Sequence, residues 1–136
     1  MACVTRSIPG ILSFLLATAS GIVLADWTKI APDNDIYSAY ADQVSIRRQG
    51  DMVRMQGLYE FRRQDFTPDG KGLYSTVVLR EYDCGQRRVR LLSAIDFSGH
   101  MGAGVAVSTS DRPRRWEEVV AGGIDEHYLN VACGGK

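Results

Sequence analysis

Leu73-Tyr-Ser-Thr-Val-Val-Leu-Arg-Glu-Tyr-Asp-Cys-Gly-Gln-Arg-Arg-Val-Arg-Leu-Leu-Ser-Ala-Ile-Asp-Phe97 is the stretch that decides the fold. Its first half, Leu73 to Asp83, is rich in apolar and β-branched residues (Thr76, Val77, Val78, Leu79), as a central strand is. Gly85-Gln86 then reads as a tight turn. Beyond it Val89, Leu91, Ile95 and Phe97 are expected to face inward, opposite Arg88, Arg90 and Asp96. The two halves therefore form a hairpin with Cys84 at its tip.

The same alternation extends upstream. In Met52 to Arg62, Val53, Met55, Tyr59 and Phe61 share one face, and Arg54, Gln56, Glu60 and Arg62 fall mostly on the other. Period two over this length marks a half-buried strand. It is joined to Leu73 by a segment holding Pro68-Asp69-Gly70, a turn in which glycine supplies positive φ. Shorter strands are expected at Trp27 to Ile30 and Ile36 to Ala41, with Gln43 to Arg48 either extending the second or standing alone. Downstream, Gly99 to Gly104 leads into a short strand, Val105 to Ser108. Trp116 to Val120 fits a strand or a helical turn equally well.

The chain ends differently. Ile124, Tyr128, Val131 and Ala132 recur at i, i+4, i+7 and i+8, one apolar stripe on a helix. Asp125 and Glu126 occupy its first turn, where the helix dipole favours negative charge. So short a helix is marginal alone and needs packing against the sheet. The fold class is α+β: an antiparallel sheet of five to six strands packed with a C-terminal helix.

Composition bounds the function. Sixteen Lys+Arg balance 16 Asp+Glu in 136 residues, which argues against generic nucleic-acid binding. A hydrophobic fraction of 45% with 24% charged residues excludes a disordered chain. Residues 1–25 have the layout of a secretory signal peptide. Arg6 is followed by the apolar run Ile8 to Ala25, which ends Val23-Leu24-Ala25 ahead of Asp26. The competing reading is a membrane anchor, against which stand Pro9, Gly10, Gly21 and the lack of a basic cluster after Ala25. The expected product is one exported domain, 26–136, with no stable membrane anchor after cleavage.

Export governs the cysteines. Cleavage removes Cys3 and leaves Cys84 and Cys133, for which a single disulfide is the default in an oxidising compartment. Two free thiols are the alternative. A metal site is the weakest reading, because neither cysteine has a CxxC partner and His100 and His127 lack ligands at a useful spacing.

Taken in order, these landmarks make the chain resemble the surface-adhesin protein E family of Gram-negative bacteria. The resemblance rests on Trp27, the Ser75 to Cys84 segment, Arg87, Arg88 and Arg90, Met101-Gly-Ala-Gly104, Trp116 with Val119, and Cys133. It implies an antiparallel sheet packed with a helix and a disulfide between Cys84 and Cys133. It also implies binding of host proteins such as vitronectin, laminin and plasminogen, and formation of homodimers. Lipid-anchored members carry a lipobox cysteine where this chain has Ala25.

Several residues are candidates for a ligand site, each with a plainer reading. Trp27, Ser75, Glu81, Tyr82, Asp83 and Trp116 are read first as packing and register residues near the disulfide. Arg112, Arg114 and Arg115 form a basic turn suited to heparin-like or acidic partners, or simply a solvated surface. Arg88 and Arg90 share a strand face, and with Arg80 they would make an arginine stripe if the register allows. No nucleophile motif surrounds Ser98 or His100, and no Gly-rich phosphate loop opens a helix, so the chain does not read as an enzyme. His100 beside Met101 is too little for a haem, and no cofactor is expected. Two readings follow. The first is an exported adhesin-like protein binding a host matrix or serum protein. The alternative is a soluble periplasmic accessory or inhibitor protein binding a bacterial envelope component.

Overall fold

The computed structural model describes residues 25–134, so most of the segment expected to be a signal peptide lies outside the described residues. Seven antiparallel strands form one sheet in the order β1-β2-β3-β4-β5-β6, with β7 also pairing β5. They are β1 (Trp27–Lys29), β2 (Tyr37–Gln49), β3 (Met52–Phe66), β4 (Gly72–Asp83), β5 (Arg88–Phe97), β6 (Ala106–Ser110) and β7 (Glu117–Glu118). One helix, α1 (Ile124–Ala132), follows. Each strand through β6 lies beside its predecessor in sequence, the arrangement that short turns impose on period-two segments. The open choices close: Gln43 to Arg48 continues β2, and Trp116 to Val120 contributes the two-residue strand β7.

The expected turn between β3 and β4 is built as its residues dictate. Gly70 adopts φ 84°, its N–H donates to Thr67 O at 2.9 Å, and Thr67 N–H donates to Lys71 O at 2.9 Å. At the β4–β5 tip, Asp83 Oδ1 accepts the Gln86 N–H at 3.0 Å.

The core lies between the sheet and α1. Ala39, Ala41, Val53, Met55, Tyr82 and Val89 are buried on one sheet face against Tyr128, Leu129 and Ala132. Large buried side chains such as Met55 and Leu129 each contribute about 1.5–3 kcal/mol. Tyr128 lies over Gly57 with no room for a side chain there, and its hydroxyl donates towards Tyr40 O (3.0 Å) and Leu58 O (3.2 Å). The disulfide Cys84–Cys133, Cα–Cα 5.8 Å, ties the end of α1 to the β4–β5 tip. Closing a loop across its separation of 49 residues is worth about 4 kcal/mol in the chain-entropy model.

Two expectations about facing are corrected. A register shift in the β4–β5 ladder pairs Leu79 with Ser93 but Arg80 with Leu91, so Leu92 is an extra residue on β5. Such a bulge reverses the facing of everything beyond it. Val89 and Leu91 therefore face α1, whereas Ile95 and Phe97 lie on the opposite face beside Val77. Arg80 likewise leaves the expected stripe. Its register partner is Met55 on the helix side, and its guanidinium sits 5.4 Å from the ring centres of both Tyr59 and Tyr128. It bonds Asp125 in the first turn of α1 at 2.9 Å, because a guanidinium so deep needs a carboxylate.

Candidate binding face

With α1 on one side, the other side of the sheet carries two distinct surfaces. One is a charged row. Arg47 of β2 lies opposite Arg54 of β3, Arg54 opposite Glu81 of β4, and Glu81 opposite Arg90 of β5. Glu81 is buried to 7% exposure, and both its oxygens are engaged: Arg54 Nε donates to one at 2.9 Å, Arg90 Nη2 to the other at 2.7 Å. Burial pushes the Glu81 carboxyl up, but its bonds from Arg54 and Arg90 outweigh this and hold it below its ordinary 4.5.

The next row repeats the motif on a smaller scale. Arg88 donates to Asp83 at 2.9 Å, and chiefly that bond, helped by the Gln86 N–H, lowers the Asp83 carboxyl from its ordinary 3.8. Trp116 forms the shelf that both rows share, with the guanidinium groups of Arg88 and Arg90 at 5.1 and 4.7 Å from its ring. Stacking of this kind is worth about 0.5–1 kcal/mol each and holds the arginines in place.

The second surface is apolar. Trp27, Val77, Ile95, Phe97 and Met101 line an open groove of about 460 Å³, with Gln56 its polar member. One wall is the glycine-rich loop after β5, which sequence alone leaves undefined. Ser75, fully buried, fastens that loop by donating to Gly99 O (2.7 Å) and accepting the Gly102 N–H (2.8 Å). Glu60 holds the loop from β3, accepting the Met101 N–H at 2.7 Å and pairing with His100 Nδ1, whose ring also lies 4.4 Å from Tyr74. Met101 takes φ 55° and Gly102 φ 75°, so the loop is held in the left-handed region by these anchors.

The structure thus separates the candidate residues. Glu81, Asp83 and Trp116 come together with Arg88 and Arg90, while Trp27 belongs to the apolar groove and Ser75 is a structural fastener. Tyr82 is buried on the helix face, and Arg87 pairs with Glu126 of α1 at 3.5 Å. Arg112, Arg114 and Arg115 are all exposed, and the last two line a small cavity of about 150 Å³ with Arg80 and Arg90. Ser98 and His100 have separate partners, Ser98 Oγ accepting the Val105 N–H at 3.0 Å. Sequence reading missed Arg47, Arg54 and Glu60. The signal for Arg54 was its place in the polar set of β3, but only the register shows that Glu81 stands opposite.

A family model described as surface-adhesin protein E matches residues 27–134 of the chain. Among solved structures, Haemophilus influenzae protein E in its crystal form II is similar with a TM-score of 0.62 and 13% identity, over 79% of this chain and 96% of that one. Protein E from non-typeable Haemophilus influenzae is similar with a TM-score of 0.58 and 13% identity, over 80% of this chain and 84% of that one. No curated protein sequence matches.

Proposed function

The chain belongs to the surface-adhesin protein E family, and on that premise we propose that it is an exported, non-enzymatic binding protein that holds a host matrix or serum protein on its open sheet face. The observation that carries the reading is the pairing on that face of an apolar aromatic groove with a fixed arginine–tryptophan row. Buried aromatic anchors and arginines dominate protein–protein affinity, and a groove on a disulfide-tied sheet presents them without a large ordering cost. In this reading residues 1–25 direct export and are removed, and the folded domain starts at Asp26.

Protease shaving of intact cells, set beside the osmotic-shock fraction, tests where the face is displayed. Degradation on intact cells, with a periplasmic control untouched, supports host binding. Protection until the outer membrane is opened overturns it and redirects the same face to a bacterial envelope partner.

A further inference from the structure

The charged row is more basic than its own carboxylates require. It sets three guanidinium groups against one carboxylate, in a chain whose formal net charge is zero. Arg47 directly faces Arg54, a like-charge pairing that costs stability. Arg47 Nη1 donates to Val44 O and Ile46 O, which satisfies two of its donors and supplies no negative charge. The ion pairs among the described residues engage Arg54 and Arg90 but not Arg47, Arg114 or Arg115. Arg54 gives Glu81 only its Nε–H, and its side chain is 56% exposed.

The row also has a direction. It crosses β2 to β5 at right angles to the strands, roughly 14 Å at the usual strand spacing. At the β5 edge it continues past Trp116 to Arg114 and Arg115, which share a cavity with Arg80 of the opposite face. Glu117 and Asp125 line it too, and Asp125 is taken up by Arg80. The charges therefore turn round the edge, a path that a flexible chain can follow and a flat bilayer cannot. A peptide would gain no backbone ladder here. The edge of β5 is already used by β7 at Arg88 and Val89, and by the Arg114 N–H on Leu91 O at 2.8 Å.

We infer that this row is a binding site for a linear sulfated polysaccharide, whose sulfate groups seat on Arg47, Arg54 and Arg90 and continue to Arg114 and Arg115. Guanidinium groups suit it because their planar donors match sulfate oxygens as they do phosphate. The inference goes beyond host-protein binding and stands or falls separately from it.

The test is titration of the purified chain with a heparin-derived decasaccharide at ~0.15 M salt. Arg47→Gln/Arg114→Gln/Arg115→Gln removes arginines that hold no ion pair. Because Arg47 Nη1 also donates to Val44 O (2.9 Å) and Ile46 O (2.8 Å), an unchanged Tm for each variant is required alongside the titration. Arg62→Gln/Arg63→Gln/Lys71→Gln removes equal charge at the far end of the sheet. The expected result is saturable binding that weakens with salt, falls on the order of tenfold in the first variant, and survives in the second. Absent binding, equal loss in both variants, equal affinity for duplex DNA, or undiminished binding of fully desulfated heparin would each overturn the site.

Discussion

Alanine at Gly57 is expected to unseat α1 from the sheet. A Cβ at this position would stand 2.7 Å from Tyr128 Cε1 and 3.2 Å from both Cζ and the hydroxyl oxygen. Carbon atoms pack favourably at about 3.5–4 Å, so the ring would have to withdraw by roughly 1 Å. It has no free direction. Tyr128 is fully buried, its hydroxyl is tied to Tyr40 and Leu58, and Tyr59 and Arg80 lie against it. Overpacking costs about 1–3 kcal/mol, and disturbing the hydroxyl bond adds about 1. Against this, alanine restricts the unfolded chain and returns about 0.4–1 kcal/mol. The net loss is about 2 kcal/mol, or roughly 10 °C in Tm for a domain of this size. Thermal and urea unfolding of Gly57→Ala, Tyr128→Leu and the double variant measure it. In the Tyr128→Leu background the alanine penalty should fall below about 0.5 kcal/mol, because the clashing atoms are gone. A Tm within about 2 °C of wild type, or the same penalty in both backgrounds, would refute the packing argument.

Three further outcomes follow from the same geometry. Cys84→Ser/Cys133→Ser should lose about 2–5 kcal/mol, and reductant should lower the wild-type Tm but leave that variant unchanged. Tyr128→Phe keeps the ring and removes the hydroxyl that serves two buried carbonyls, so urea unfolding should show a loss of about 1 kcal/mol with an unchanged m-value. Glu81 has a folded-state pKa below its unfolded value, so its contribution is present above the ordinary 4.5 and is lost as pH falls through the folded value. Glu81→Gln should therefore be less stable than wild type at neutral pH, and its stability should fall less steeply below 4.5.

The elements were legible where a single face is buried. Val53 and Met55 on β3, and Tyr128 and Ala132 on α1, declare their periods because burial on one side selects every second or every third-to-fourth residue. The Pro68-Asp69-Gly70 turn is legible because Gly70 supplies the positive φ it needs, whereas the β4–β5 tip is a four-residue turn, 84–87, whose positive φ falls on Arg87 rather than on the expected Gly85-Gln86. What stayed hidden depends on register. The extra residue Leu92 leaves no mark in the pattern around it, yet it turns Ile95 and Phe97 from the core to the groove. Arg80 reads as a surface residue until Asp125 and two tyrosine rings, distant in sequence, are placed around it. Glu81 and Trp116 were visible as candidates. Their partners Arg54 and Arg90 follow only from strand pairing, because the contacts span three strands and the β5 edge.

The proposed function requires that the open sheet face hold a protein partner. Binding of the purified chain to immobilised host matrix and serum proteins, compared with Phe97→Ser in the groove and Ile36→Ser outside it, tests this most directly. The expected result is saturable binding to at least one of these proteins, lost in Phe97→Ser and retained in Ile36→Ser. Binding to none of them, or binding indifferent to Phe97, would contradict it.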